Sequence, residues 1–195
     1  MSRIIAGIAK GHRLATPSGS ATRPTADRVR EALFSALGSW FTADGADRAL
    51  AGCSFLDLYA GSGAVGLEAA SRGAEPVLAV EADRRTAELI RTNARTTGLA
   101  VSVRTGRVDQ VLRAGPGNAQ GFDVGWLDPP YDLAGTGLAT ALDLLVAGGW
   151  IVPAGLIVVE RSTRSPAPIW PSGVERSWDR RYGETTLHFA ELEEA

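Results

Sequence analysis

Between residues 54 and 161, short apolar runs alternate with segments whose apolar residues recur at helical spacing. Strands that alternate with helices in this way form a mostly parallel sheet with helices on both faces. The tail, with Trp178 and Thr185–Phe189, has the pattern of a closing antiparallel pair. The other predicted strands are Ser54–Tyr59, Val77–Glu81, Val101–Thr105, Phe122–Leu127 and Gly155–Arg161. A first helix is predicted after the glycine-rich turn that follows Tyr59, and it ends at about Ser71. The other predicted helices are Arg84–Thr97, Val108–Arg113 and Leu138–Ala147. We therefore predict an α/β fold with one seven-stranded sheet.

Two further elements are predicted before this alternation begins. Arg3–Ile8 and Arg13–Thr16 have the pattern of a short hairpin. A helix is predicted over Ala26–Phe41, and Thr25 is its expected N-cap. The chain therefore starts with an extension that the alternating core does not require.

The amino-acid composition is that of an ordinary globular protein and gives little further information about function. The chain has 195 residues, of which 45% are apolar and 22% charged. We divide it into a basic hairpin arm, residues 1–20, and one domain, residues 21–195. No apolar run approaches the roughly 20 residues that span a bilayer, and the N-terminus lacks a signal-peptide pattern. With a single cysteine and no Cys/His cluster, we expect a cytoplasmic protein without a metal site.

Charge is unevenly distributed along the chain. The formal net charge is −2, yet residues 1–30 carry six basic side chains against Asp27 alone, so the remainder is strongly acidic. A basic arm on an acidic body indicates a local anionic partner. The alternative is a solvated charged segment, which is the reading we favour for Arg30 on the predicted helix. The basic residues are Arg3, Lys10, Arg13, Arg23, Arg28 and Arg30.

A glycine-rich turn joins the first core strand to the next helix. Gly61, Gly63 and Gly66 have the Gly-x-Gly-x-x-Gly spacing that lets a backbone approach a ligand at a helix N-terminus. Glu81 ends the following strand, 20 residues after Gly61, where a carboxylate can accept hydrogen bonds from ribose hydroxyls. This pattern predicts a nucleoside cofactor on a Rossmann-like sheet, and it suits NAD as well as S-adenosylmethionine.

Asp57 lies inside the apolar end of the strand before this turn. A buried carboxylate is unfavourable unless it meets a cation or hydrogen-bond donors. The ammonium group of S-adenosylmethionine would supply a cation, whereas the alternative is that Asp57 caps its own turn. The residue favours S-adenosylmethionine over NAD.

A stiff loop, Asp128-Pro129-Pro130-Tyr131, follows the fourth core strand. The two prolines cannot continue a strand, because they lack N–H donors and have a fixed φ. The Asp128 carboxylate and the Pro129 carbonyl can accept hydrogen bonds from an exocyclic amino group, and Tyr131 can stack on a planar base. Such a loop beside a methyl donor orients an amino nitrogen for attack, and a chance surface turn is the alternative.

These motifs bring the sequence to a known family. "LDLYAGSGAVGLEA", "AVEAD" and "LDPPY", in this order, resemble class I methyltransferases that modify exocyclic amino groups. "RIIAGIAKGHRL", "TRPTADRVREALF" and "YGETTLHF" resemble the 16S ribosomal RNA guanine-N2 methyltransferases of the RsmD type. The resemblance implies the class I methyltransferase fold, with the hairpin as an N-terminal extension.

The resemblance also implies roles for particular residues. The expected donor is S-adenosylmethionine, and the expected partner is 16S rRNA in an assembled or assembling small subunit, bound by a monomer. Asp109 is held open as a further adenine contact, since relatives in the superfamily have an acid nearer the preceding glycine. The expected residues are Asp128, Pro129, Pro130 and Tyr131 for catalysis; Asp57, Gly61, Ser62, Gly63, Glu81, Ala82, Arg107 and Val108 for the donor; and Arg3, Lys10, Arg13, Arg23, Thr25 and Arg28 for the RNA.

Other functions stay open at this point. A DNA adenine-N6 methyltransferase could use the same Asp-Pro-Pro-Tyr loop, although such enzymes usually carry a larger target-recognition segment. A protein-glutamine methyltransferase would more typically have Asn at position 128. An NAD-dependent oxidoreductase lacks support, because no hydride-handling residue pair is evident. A non-catalytic RNA-binding assembly factor would have no use for Asp128 beside the glycine turn.

Overall fold

The computed structural model describes residues 2–17, 27–41, 46–117, 120–130, 133 and 135–194. The predicted α/β alternation is confirmed, and most elements begin or end within three residues of their expected bounds. The strands are β1 (Ser2–Arg3), β2 (Arg13–Leu14), β3 (Phe55–Leu58), β4 (Val77–Glu81), β5 (Ser102–Thr105), β6 (Phe122–Leu127), β7 (Ile151–Ser162), β8 (Val174–Tyr182) and β9 (Thr185–Leu192). The helices are α1 (Asp27–Trp40), α2 (Ala64–Ser71), α3 (Arg84–Thr97), α4 (Val108–Arg113) and α5 (Gly135–Ala147), with a short 3₁₀ turn over Ala46–Arg48.

Seven strands form one sheet in the order β5-β4-β3-β6-β7-β9-β8. β3 is an interior strand that pairs in parallel with β4 and β6, and β9 runs antiparallel between β7 and β8. The order reverses at β3, because the chain builds outwards to β5 and then returns to β6 on the other side. In open α/β sheets this switch point is where ligands bind, outside the carboxyl ends of the strands.

Helices cover both faces of the sheet and bury two apolar clusters. One cluster packs α1, α2 and the hairpin against the face that carries Trp126 and Val158. The other packs α4 and α5 against the opposite face, which carries Leu127 and Val159. All four residues of β3 are buried, as expected for a central parallel strand.

The N-terminal hairpin is docked on helix α2 through buried polar groups. The carboxylate of Glu68, which is fully buried, accepts hydrogen bonds from the backbone N–H groups of Ile5 (2.7 Å) and Ala6 (3.0 Å). Ser71 Oγ accepts from Ala9 N–H and donates to the Ala6 carbonyl. These bonds explain why β1 is shorter than predicted, since backbone groups of Ile5, Ala6 and Ala9 bond to α2 instead of across the hairpin; β1 and β2 have two residues each, against the predicted six and four.

Arg30 corrects one expectation. It was predicted on a solvated helix face, but its side chain is fully buried. The guanidinium donates to Ser2 Oγ, to the Arg3 carbonyl and to the Asp27 carboxylate. Arg30 therefore attaches the first strand of the hairpin to α1 rather than contacting solvent.

Several predictions concern residues beyond the described ranges or are untested. Thr25 and Ala26, the predicted start of α1, lie outside the described residues. The division into residues 1–20 and 21–195 stays a prediction. Among the helices that the structure describes, none has the length and apolar character needed to cross a membrane.

Candidate active site

A cleft of about 950 Å³ opens at the carboxyl ends of β3, β4, β6 and β7. One half is formed by the turn after β3, the end of β4 and the start of α4. The other half is formed by the ends of β7 and β8, the start of β9 and one side of α5. The loop after β6 contributes Asp128, Pro129 and Pro130 to the same cavity. The volume suffices for a drug-sized ligand together with a second group.

The turn between β3 and α2 has an unusual backbone. Tyr59 has a φ of 62°, Gly61 of 54° and Gly63 of 76°. A left-handed conformation is unfavourable for a residue with a bulky side chain, and such strain concentrates at binding sites. Gly63 is required for packing as well, because a Cβ there would lie 2.7 Å from Ile90 Cγ2. The turn is thus held in a shape that local preference alone would not select.

Asp57 is buried at the base of this turn, with 1% of its surface exposed. Its Oδ2 accepts a hydrogen bond of 2.8 Å from Gly66 N–H in the first turn of α2. The pKa of Asp57 is raised to about 7, mainly by burial and to a smaller extent by the charges of Asp128 and Glu81, against the lowering effect of the Gly66 bond. Asp57 therefore does cap its own turn, which was the alternative role considered for it. A single backbone donor does not, however, offset the cost of burying its carboxylate. A cation bound in the cleft would offset the cost of burying the Asp57 carboxylate, so the site suits the ammonium group of an amino acid.

Glu81 connects the turn to the end of β4. Its Oε2 accepts from Gly61 N–H and its Oε1 from Asp83 N–H, both at 2.8 Å. Each carboxylate oxygen has two lone pairs, so both can still accept a bond from a ribose hydroxyl. The two backbone bonds hold the carboxylate in one orientation at the cleft wall.

Most of the other residues predicted to bind the donor lie along the same wall. Ser62 and Ala82 line the cleft, as does buried Val108 at the start of α4. Arg107 lines it too, and its exposed guanidinium pairs with Asp109 at 3.1 Å. Gly63 is buried behind the cleft rather than on its surface. The structure therefore brings seven of the eight predicted donor residues to one cavity wall: Asp57, Gly61, Ser62, Glu81, Ala82, Arg107 and Val108.

The loop after β6 lies between the two halves of the cleft. Asp128 is half-buried, Pro129 is buried and Pro130 is exposed. Leu133 N–H donates a hydrogen bond of 3.0 Å to the Pro130 carbonyl. Tyr131 lies outside the described residues. Asp128 is close enough to Asp57 for its charge to raise the pKa of that carboxyl.

The predicted RNA-binding residues divide into three groups. Arg28 is exposed and lines the cleft, beside Thr16 and Pro17 from the end of the hairpin. Arg3, Lys10 and Arg13 are exposed on the hairpin, away from the cleft walls. Arg23 and Thr25 are outside the described residues.

Asn93 is a residue that sequence reasoning missed. It is buried in α3, where its amide bonds both the N–H (2.9 Å) and the carbonyl (3.0 Å) of Ala15, and donates to the Ser62 carbonyl at 3.2 Å. One side chain thus joins the end of the hairpin to the glycine turn. The helical spacing could have indicated this buried position, since Asn93 falls on the same face of α3 as the buried residues Ile90 and Ala94.

Acidic groups dominate the described part of the cleft lining. Carboxylates with low-dielectric walls favour cations and hydrogen-bond donors and repel phosphates. A polyanionic ligand would therefore keep its backbone at the rim, where Arg28 lies, and insert a neutral group. The acidic residues are Asp57, Glu81, Asp83, Asp109, Asp128, Glu160 and Glu184, against Arg28 and Arg107.

Comparison with known proteins identifies the family. Residues 2–191 match the family described as "Conserved hypothetical protein 95". The Haemophilus influenzae protein named ribosomal RNA small subunit methyltransferase D is 34% identical over 169 residues, which cover 84% of this chain and 80% of that protein. The chain belongs to this family. The resemblance inferred from the motifs is thereby confirmed.

Solved structures agree on the fold of the family. A Thermus thermophilus protein described as hypothetical is 33% identical and superposes with a TM-score of 0.76, covering 99% of both chains. A 16S rRNA N2 methyltransferase of Thermus thermophilus, in complex with AdoMet and guanosine, superposes with a TM-score of 0.67 at 22% identity, over 90% of this chain and 45% of that one. The fold is that of class I methyltransferases, as predicted.

Proposed function

We propose that this protein transfers a methyl group from S-adenosylmethionine to the exocyclic N2 of a guanine in 16S rRNA. The observation that carries the proposal is the cleft, in which the Asp128-Pro129-Pro130 loop lies in one cavity with Asp57, Glu81 and the glycine turn. The relatives' names support the substrate class, since the Haemophilus influenzae protein is named as a small-subunit ribosomal RNA methyltransferase.

On the donor side, the chain supplies positioning and charge. When bound, S-adenosylmethionine would contribute a methyl group on a positively charged sulfur. Asp57 suits its ammonium group, because the buried carboxylate lacks a compensating cation among the contacts described. Glu81 suits the ribose hydroxyls, and Val108 offers an apolar surface to the adenine.

On the acceptor side, the loop after β6 orients the nucleophile. The Asp128 carboxylate and the Pro129 carbonyl oxygen accept the two N–H bonds of the amino group, which leaves the nitrogen lone pair directed at the donor half. The nitrogen becomes positively charged as it bonds to the methyl carbon, and the adjacent carboxylate stabilises that charge. No strong base is needed, because the nitrogen loses its proton readily once it is charged. Alignment accounts for most of the acceleration.

The charge distribution agrees with an RNA substrate whose base is drawn out of its stack. The acidic cleft admits a neutral base with donor groups, while Arg28 and the hairpin residues Arg3, Lys10 and Arg13 contact phosphates outside it. Extraction requires a few kcal/mol, less where the nucleotide lies in a loop. We propose that the protein acts as a cytoplasmic monomer on the assembled or assembling small subunit.

A labelling experiment tests this proposal. The protein would be incubated with methyl-labelled S-adenosylmethionine and, separately, unmethylated small subunits, free ribosomal RNA and duplex DNA, and the labelled nucleoside would be identified. The proposal expects N2-methylguanosine, formed on the subunits. N6-methyladenine from DNA would contradict the guanine assignment, and donor binding without transfer to any RNA would favour a non-catalytic assembly factor.

A further inference from the structure

The cleft contains a second carboxylate beside Asp128. β6 and β7 pair in parallel with Leu127 opposite Val159, so Asp128 and Glu160 occupy equivalent positions one residue further on. Neighbouring strands lie about 5 Å apart, which makes the two backbones adjacent at this edge. Both side chains are half-buried and both line the cleft.

The two side chains belong to the same face of the sheet. Trp126 and Val158 pack into the cluster beneath α1 and α2, whereas Leu127 and Val159 pack into the opposite one. Side chains alternate along a strand, so positions 128 and 160 continue the face of Trp126 and Val158. That face also carries Asp57, which is paired with Trp126. Glu160 thus lies on the far side of Asp128 from the donor half.

Two adjacent acceptors match one edge of guanine. The Watson–Crick edge of guanine has the N2 amino group beside the N1–H, which are donors side by side. Adenine has its amino group beside a bare N1, which is an acceptor. A carboxylate next to Asp128 therefore accepts a hydrogen bond from guanine but faces a lone pair in adenine.

We propose that Glu160 is a specificity-determining residue that accepts the N1–H of the target guanine while Asp128 holds N2. The inference rests on the proposed function, since it assumes that an amino group is presented to Asp128. A base with two adjacent donors offers a hydrogen bond to each of the two neighbouring carboxylates. A base with a bare N1 leaves the Glu160 carboxylate against an acceptor, which is the unfavourable arrangement on which selectivity depends.

The test compares guanine with 2-aminopurine at the methylated position. 2-Aminopurine keeps the reacting amino group but lacks the N1–H. Small subunits would be reconstituted with each base at the position identified by the labelling experiment, and kcat/KM would be measured for the wild type, Glu160→Gln and Glu160→Ala. Glu175→Gln is the matched control, because it removes the same charge from an exposed position on β8.

The wild type is expected to prefer guanine over 2-aminopurine by roughly 10- to 100-fold. Glu160→Gln should reduce that preference to a few-fold, since an amide can donate to a bare N1 and accept from an N1–H. Donor affinity should stay unchanged in every variant, and Glu175→Gln should keep the wild-type preference.

Two results would overturn the inference. One is a Glu160→Gln protein that keeps the full preference for guanine. The other is an equal loss of activity on both bases with lowered Tm in both Glu160 variants, which assigns the residue a structural role. Failure of the proposed function is distinguishable, because the wild type would then methylate neither base in the subunit.

Discussion

Asp57 shows how a single residue can be poorly suited to the unliganded fold and well suited to a ligand. Its carboxylate is buried with a bond to Gly66 N–H, and burial raises its pKa from 3.8 to about 7. A group that holds its proton more tightly when folded disfavours the folded state once it ionises. The resulting loss in the free energy of unfolding is absent at pH values below about 4, grows as the pH rises towards 7, and is complete above 7.

Asp57→Asn should therefore stabilise the unliganded protein at pH 8. An amide can still accept from Gly66 N–H, but it carries no buried charge. We expect a gain of a few kcal/mol at most in the free energy of unfolding at pH 8, and little change at pH 4. Denaturant unfolding at both pH values measures the gain. Asp143→Asn on the exposed side of α5 is the control, and an equal effect of both substitutions would contradict the account.

The same titration predicts how donor affinity depends on pH. Below pH 7, an ammonium group must displace the proton of Asp57, so affinity should fall by up to about tenfold for each pH unit. Calorimetric titration with S-adenosylmethionine between about pH 5.5 and 7.5 tests this slope. Asp57→Asn should bind more weakly at pH 7.5 and lose most of the slope. A wild-type affinity that is independent of pH over this range would remove Asp57 from the ammonium site.

At the scale of elements, the sequence pattern was sufficient to predict a helix or strand wherever interactions between residues close in sequence determine it. β4, α3, α4 and β6 follow from apolar periodicity, and the C-cap of α3 from Gly98, whose φ is 69°. The hairpin was only partly predictable. Its strands are short because Glu68 and Ser71, more than 60 residues away in sequence, accept its N–H groups, and no local pattern contains that partner.

The way the hairpin is docked predicts that its charged side chains can be replaced without loosening its attachment to α2. Arg3, Lys10 and Arg13 are exposed, while the bonds to Glu68 and Ser71 use backbone groups. Replacing the three with Gln should weaken RNA binding and reduce the slope of log K against log salt by about 2. The melting temperature and donor affinity should not change. Filter binding at several salt concentrations measures the slope.

The matched control for the hairpin replaces three exposed arginines elsewhere, Arg85, Arg95 and Arg113, with Gln. That variant should keep the wild-type salt dependence. An equal reduction in both variants would show that general charge, rather than the hairpin, binds the RNA. Loss of donor binding in the hairpin variant would assign those residues a folding role.

At the scale of the whole molecule, the fold joins a basic extension to an acidic cleft. Asn93 connects the two directly, because it bonds Ala15 at the end of the hairpin and Ser62 in the glycine turn. The sequence motifs predicted that the glycine turn, Glu81 and the Asp128 loop lie together, and the structure brings them to one cleft because their positions follow from strand order. Glu160 could not be predicted, because its place beside Asp128 depends on the register between β6 and β7.

The central claim is that the Asp128 loop orients the attacking nitrogen in the same cavity that binds the donor. The most direct measurement is the first-turnover rate of methyl transfer to small subunits by Asp128→Ala, together with its affinity for S-adenosylmethionine. Asp143→Ala is the control for loss of an exposed carboxylate. The account predicts a rate lowered by about 100-fold or more, with donor affinity changed by less than about threefold. A variant that transfers at the wild-type rate would contradict it.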